Sequence, residues 1–152
     1  MRISGAAKRF GLFVFLNLAV LPLWPQAGQT SVDPSSYIGL TLADLYGRFG
    51  IPGSVYAARG LEVWQDDVVF VYGFADFFIV QDRVWKVGVK EAYLIRAGDP
   101  ATAVFLSFGE AVSRGPEYAV FPFTGRPWPM SLRFNFDSSG RVSMIYIYRS
   151  DL

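Results

Sequence analysis

The chain contains no histidine and no cysteine. That removes the Ser–His–Asp and Cys–His nucleophilic arrangements and the ordinary zinc sites. Carboxylates remain. Asp66-Asp67 is the one acidic doublet, and its oxygens suit calcium or acid/base work. It lies between strand-forming runs, where neighbouring side chains point to opposite faces, so a solvated turn is its expected role. Glycine and serine runs show no phosphate-binding spacing. No catalytic, metal-binding or cofactor-binding residue is expected, and the chain reads as a non-enzyme without a cofactor.

Residues suited to recognition are present. Gly125-Arg126-Pro127-Trp128-Pro129 presents an arginine and a tryptophan in a proline-stiffened loop. Those two types dominate interface hot spots, and prolines reduce the ordering cost of docking. The alternative for Trp128 is that it folds back over the end of the core. A second group, Arg133, Ile145, Ile147 and Arg149, shares one face of the terminal hairpin and is joined by Trp85. Isoleucines on an open sheet face would make an exposed apolar patch, which marks a partner site.

That grouping depends on register. Asp137-Ser138-Ser139-Gly140 reads as a type I turn closed by a left-handed glycine, pairing Asp137 with Arg141. Leu132, Phe134 and Phe136 then share a face with Val142, Met144, Tyr146 and Tyr148. The other face carries Ser131, Arg133, Asn135, Ser143, Ile145, Ile147 and Arg149. A slip of one residue would put Ile145 and Ile147 inside and the two tyrosines outside. In Arg83 to Val89, Val84 and Trp85 cannot both point inward without a bulge.

The elements that position these residues have marked ends. In Gly39 to Pro52, Thr41 and Asp44 form a capping box with Leu40 and Leu45 as a staple. Leu42, Leu45, Tyr46 and Phe49 make one apolar stripe, and Gly50 and Pro52 end the helix. The pattern recurs at an offset of 59: Ala101, Val104, Phe105 and Phe108 repeat the stripe and Gly98 echoes Gly39. Here Asp99 is the expected cap, with Pro100 at the first helical position. Strand-forming runs cover Ser54 to Arg59, Asp67 to Tyr72, Phe77 to Gln81, Arg83 to Val89, Glu117 to Phe121, Ser131 to Asp137 and Arg141 to Arg149. The expected organisation is a signal peptide over 1–27, a linker over 28–36 and a single α+β domain over 37–152. That domain comprises two repeats, 37–93 and 94–152. Each is a helix followed by strands, sharing one antiparallel sheet with helices on one face, since neither half buries enough alone.

The first 27 residues carry Arg2, Lys8 and Arg9 and then an apolar run from Phe10 to Trp24. Fifteen residues at about 1.5 Å each fall short of a ~30 Å bilayer core, so a secretory leader fits better than a span. An uncleaved N-terminal anchor is the alternative. Without the leader, 11 Lys and Arg stand against 13 Asp and Glu, a balance of −2. No basic patch points to nucleic acid. Without disulfides, packing must hold the exported part together, and 52% hydrophobic and 17% aromatic residues supply the material.

The arrangement Gly39, Thr41, Leu45, Phe49-Gly50, Pro52, followed by strands and repeated, resembles the tandem-repeat family of the β-lactamase-inhibitory protein. It also resembles SmpA/OmlA-type small envelope proteins, which carry one such unit. The second unit departs at Ala111, where the motif places proline, and the chain has no lipid-bearing cysteine. The resemblance implies a protein-binding module without catalysis, periplasmic or secreted, whose partner is another envelope or secreted protein. Contact with a membrane is expected only through an uncleaved leader. The competing expectation is a carrier of a lipid or other apolar ligand between helices and sheet.

Overall fold

The computed structural model describes residues 32–59, 66–124 and 127–152. The expected leader, residues 28–31 of the expected linker, and Arg126 lie outside them. The rest of the linker is partly packed, with Val32 and Ser36 exposed. Asp33 Oδ1 accepts from the Ser35 N–H at 3.0 Å and opens a 3-10 turn, Pro34–Tyr37, in which Pro34 and Ser35 are buried.

Helix α1 (Leu42–Phe49) begins with the capping box. Thr41 Oγ1 accepts from Asp44 N at 3.1 Å, and Thr41 N donates to Asp44 Oδ2 at 2.9 Å. It ends at Gly50, whose φ of 72° suits glycine. Helix α2 (Ala101–Phe108) differs from expectation. Pro100 takes the capping position with no side-chain bond, and the Asp99 carboxylate accepts instead from Arg96 N at 2.8 Å. The carboxylate is spent on the preceding turn and cannot reach the helix.

Ten strands follow the chain order β1 (Ser54–Ala58), β2 (Asp67–Val71), β3 (Asp76–Val80), β4 (Arg83–Val89), β5 (Glu91–Ala92), β6 (Ile95–Arg96), β7 (Ser113–Gly115), β8 (Tyr118–Phe123), β9 (Met130–Phe136) and β10 (Val142–Arg149). Eight of them form one antiparallel sheet ordered β1-β2-β3-β4-β10-β9-β8-β7, and β5 and β6 make a separate hairpin. The short β5, β6 and β7 carry too few alternating residues to be read from the sequence. The expected α+β class is corrected. Among the described residues strands and isolated bridges make up 47%, and helices with the 3-10 turn 18%, so the molecule is principally one large sheet with two helices of eight residues. Aromatic and β-branched runs, which favour strands, outweigh two helices of about two turns each.

The sheet is continuous where β4 meets β10, with Val89 opposite Ile145 and Lys86 opposite Tyr148. Before each helix the main chain is tied to a strand in the same way. Gly39 N donates to Val84 O and Val84 N to Leu40 O; Gly98 N donates to Val142 O and Val142 N to Asp99 O, all at 2.7–2.9 Å. Leu45, Val104, Phe77, Phe121, Phe134, Ile145 and Ile147 are almost wholly buried in the layer between helices and sheet. Phe49 stacks on Phe77 at 5.8 Å, and Phe108 lies 5.2 Å from Phe134.

Two bulges set the side-chain facing. On β10, Val142 opposes Phe136, but Met144 opposes Asn135 and Ile145 opposes Phe134. The shift at Ser143 sends Ile145 and Ile147 into the core, both at 0% exposure. On β4, Ile79 opposes Val84 while Phe78 opposes Lys86. Trp85 is the extra residue, so Val84 points inward while Trp85 and Lys86 remain partly exposed.

Candidate functional site

The sheet face away from the helices carries a groove of about 380 Å³ lined by Trp85, Lys86, Arg133, Asn135, Tyr146 and Tyr148. Each reaches it through the register just described. Tyr146 and Tyr148 alternate with the buried isoleucines of β10, Arg133 and Asn135 alternate with Leu132 and Phe134 of β9, and the β4 bulge turns Trp85 outward.

The floor is aromatic. Gly88 has no Cβ, and one built there would come within 3.0 Å of Tyr146 Cε1. The Tyr146 ring therefore lies against the β4 backbone, edge-on to Phe78 at 6.0 Å. Trp85 meets Tyr148 edge-to-face at 6.4 Å, and the Lys86 ammonium lies 3.9 Å from the centre of the Phe78 ring and 4.6 Å from that of Trp85. Cation–π attraction of this kind strengthens with desolvation.

Asp67 fixes this cluster. The expectation of a solvated turn at the acidic doublet is corrected at Asp67, while Asp66 is exposed outside the strands: Asp67 opens β2, is 7% exposed, and accepts from Trp85 Nε1 at 2.8 Å and Lys86 Nζ at 3.5 Å. Burial lowers the Lys86 pKa, against which the Asp67 charge and hydrogen bond act. Burial also raises the Tyr146 hydroxyl pKa, with a further push from the Asp76 charge. Arg133 donates from Nε to Asn135 Oδ1 at 2.8 Å and lies 4.4 Å over the Tyr118 ring. The groove thus offers flat aromatic surface, hydroxyl and amide groups, and a guanidinium. That equipment suits recognition.

The seven candidate residues from the sequence fall in different places. Trp85 and Arg133 line the groove. Ile145 and Ile147 are withdrawn as surface residues, because the β10 bulge moves them to the other face. Arg149 follows them in alternation on the helix side, where its guanidinium lies 5.4 Å over Trp128 and bonds Asp151 at 3.0 and 2.8 Å. Trp128, 39% exposed, covers Gly39, where a Cβ would come 3.2 Å from its ring. Trp128 and the open face are therefore separate places, and Arg126 lies outside the described residues. Sequence reasoning missed Lys86, Tyr146 and Tyr148, and it placed Asn135 beside Arg133 without naming it a candidate. The signal for the two tyrosines was their alternation with Ile145 and Ile147, read in the opposite sense.

A second hollow, about 240 Å³, opens where β3 begins and β4 ends and meets the open face at Asp76, Gly88 and Met144. No helix among the described residues is long and apolar enough to cross a membrane.

No family model and no curated protein matches the chain. Among solved structures, an extracellular protein containing an SCP domain from Bacillus anthracis str. Ames is similar, with a TM-score of 0.51 and 14% identity. The match covers 80% of this chain and 47% of that one, so the chain spans about half the length of that protein. At this identity the likeness is one of fold.

Proposed function

We propose that the chain is an exported, non-catalytic module that binds another envelope or secreted protein on the open face of its sheet. The groove carries this reading: two tyrosines, a tryptophan and an arginine, types that anchor interfaces, converge beside the buried Asp67 and its partly exposed partner Lys86. The helix side is filled by Leu45, Phe77, Val104, Phe121 and Phe134, which favours the groove over an apolar-ligand site between helices and sheet. The basic start and short apolar run support export, as does the extracellular nature of the structural neighbour. The resemblance of Gly39 to Pro52 to the β-lactamase-inhibitory protein family supports the class of function.

A photo-crosslinking amino acid placed at Tyr148, and in a separate variant at Leu106 on the exposed side of α2, tests it in the native envelope. A discrete protein adduct from Tyr148 and none from Leu106 is expected. Adducts from Leu106 alone would move the site to the helix side.

A further inference from the structure

One row of open-face residues carries opposite charges at its ends. Asp76 on β3, Gly88 on β4, Tyr146 on β10 and Arg133 on β9 are successive register partners, so their side chains leave the same face of the sheet. Three inter-strand steps of about 4.8 Å put Asp76 and Arg133 about 14 Å apart. The Tyr146 ring lies between them over Gly88, forming a flat apolar midpoint.

At one end, Asp76 is half-buried, which raises its carboxyl pKa, while the nearby Lys90 pulls it down. At the other end, Arg133 uses Nε on Asn135. Its remaining guanidinium N–H groups have no acceptor among the described residues, and a planar fork of this kind suits a carboxylate. Lys86, between the ends, is already held by Asp67.

An extended chain rises about 3.4 Å per residue and alternates its side chains. Its first, third and fifth residues point the same way, and the first and fifth lie about 14 Å apart. We propose that the partner engages this face through an extended peptide segment laid across the strands. That segment carries Lys or Arg at its first position, an apolar or aromatic residue at the third, and Asp or Glu at the fifth. The cation meets Asp76, the central side chain packs on Tyr146, and the carboxylate meets Arg133. A uniformly anionic chain such as a polyuronide would satisfy Arg133 but be repelled at Asp76. The inference rests on the groove being the binding site.

The test titrates the purified full chain with labelled peptides built on Lys-Ser-Tyr-Ser-Glu within Gly/Ser flanks. Controls have two lysines, two glutamates, or the charges two residues apart, and an oligogalacturonate serves as the polyanion. Partly exposed charge pairs contribute up to about 1 kcal/mol, so the mixed peptide is expected to bind roughly fivefold more tightly than each control. Asp76→Lys should transfer the preference to the two-glutamate peptide and Arg133→Glu to the two-lysine one. Asp76→Asn, which keeps the shape, should erase the difference between the mixed and two-glutamate peptides. Preference of the wild-type chain for the two-glutamate peptide or oligogalacturonate overturns the charge pattern, as does absence of binding at millimolar peptide. Equal binding of all peptides that is lost in Tyr148→Ala also overturns the pattern but retains the groove. Equal binding unchanged in Tyr148→Ala contradicts both.

Discussion

Lys86 is where the electrostatics of the open face meet. Its ammonium is packed between Phe78 and Trp85 and reaches Asp67 across a 3.5 Å gap. Burial, the larger influence, lowers its pKa, and Asp67 opposes this. With the folded value below the unfolded one, the unfolded chain binds more protons between the two. Stability therefore rises as pH rises through that window, and the charged lysine costs stability at neutral pH. Nitrogen-detected NMR of the lysine side chains should find Lys86 titrating below the ordinary lysine value of about 10.4. Asp67→Asn should lower it further by removing the charge that counters burial. A Lys86 that titrates at or above the ordinary value, unmoved by Asp67→Asn, would place it in open solvent. None of this was legible in the sequence, because Asp67 and Lys86 become neighbours only through the pairing of three strands. The absence of histidine and cysteine, by contrast, needed no fold to be read.

At the scale of elements, what was legible followed from how locally each device works. The α1 capping box involves Thr41 and Asp44 three residues apart, and its spacing already determined its geometry. The capping of α2 misled, since Asp99 had a competing local donor in Arg96 N. The β10 register was hidden for a different reason. One extra residue at Ser143 inverts every side chain after it, and both alternating sets, Ile145 with Ile147 and Tyr146 with Tyr148, are apolar enough to fill a core. Physical chemistry separates them afterwards: branched aliphatic chains have no group to hydrate, whereas a tyrosine hydroxyl favours an edge near water. Ile145→Ala is therefore expected to cost about 2–5 kcal/mol in urea unfolding, and Tyr148→Ala less than half as much. Equal losses, or the reverse order, would restore the register in which the isoleucines face outward.

Over the whole molecule, one sheet runs unbroken from β1 to β7 across the β4–β10 junction, with one face packed and the other bearing the groove. Helix and strand boundaries were partly readable, but the dominance of the sheet was not. The short strands β5, β6 and β7 lack periodicity of their own, and Asp33, in a stretch expected to be a linker, is anchored by the Tyr93 hydroxyl at 2.7 Å from 60 residues away. The asymmetry between the two faces also means that Arg133 and Trp128, both recognition candidates from the sequence, make opposite predictions. The most direct measurement compares affinity for the protein captured at Tyr148 with unfolding stability, on Arg133→Ala and Trp128→Ala side by side. The open-face account predicts that Arg133→Ala weakens binding by about 1–2 kcal/mol with little change in unfolding, while Trp128→Ala leaves affinity unchanged. Wild-type affinity in Arg133→Ala together with lost affinity in a stably folded Trp128→Ala would contradict it and put the partner on the helix side.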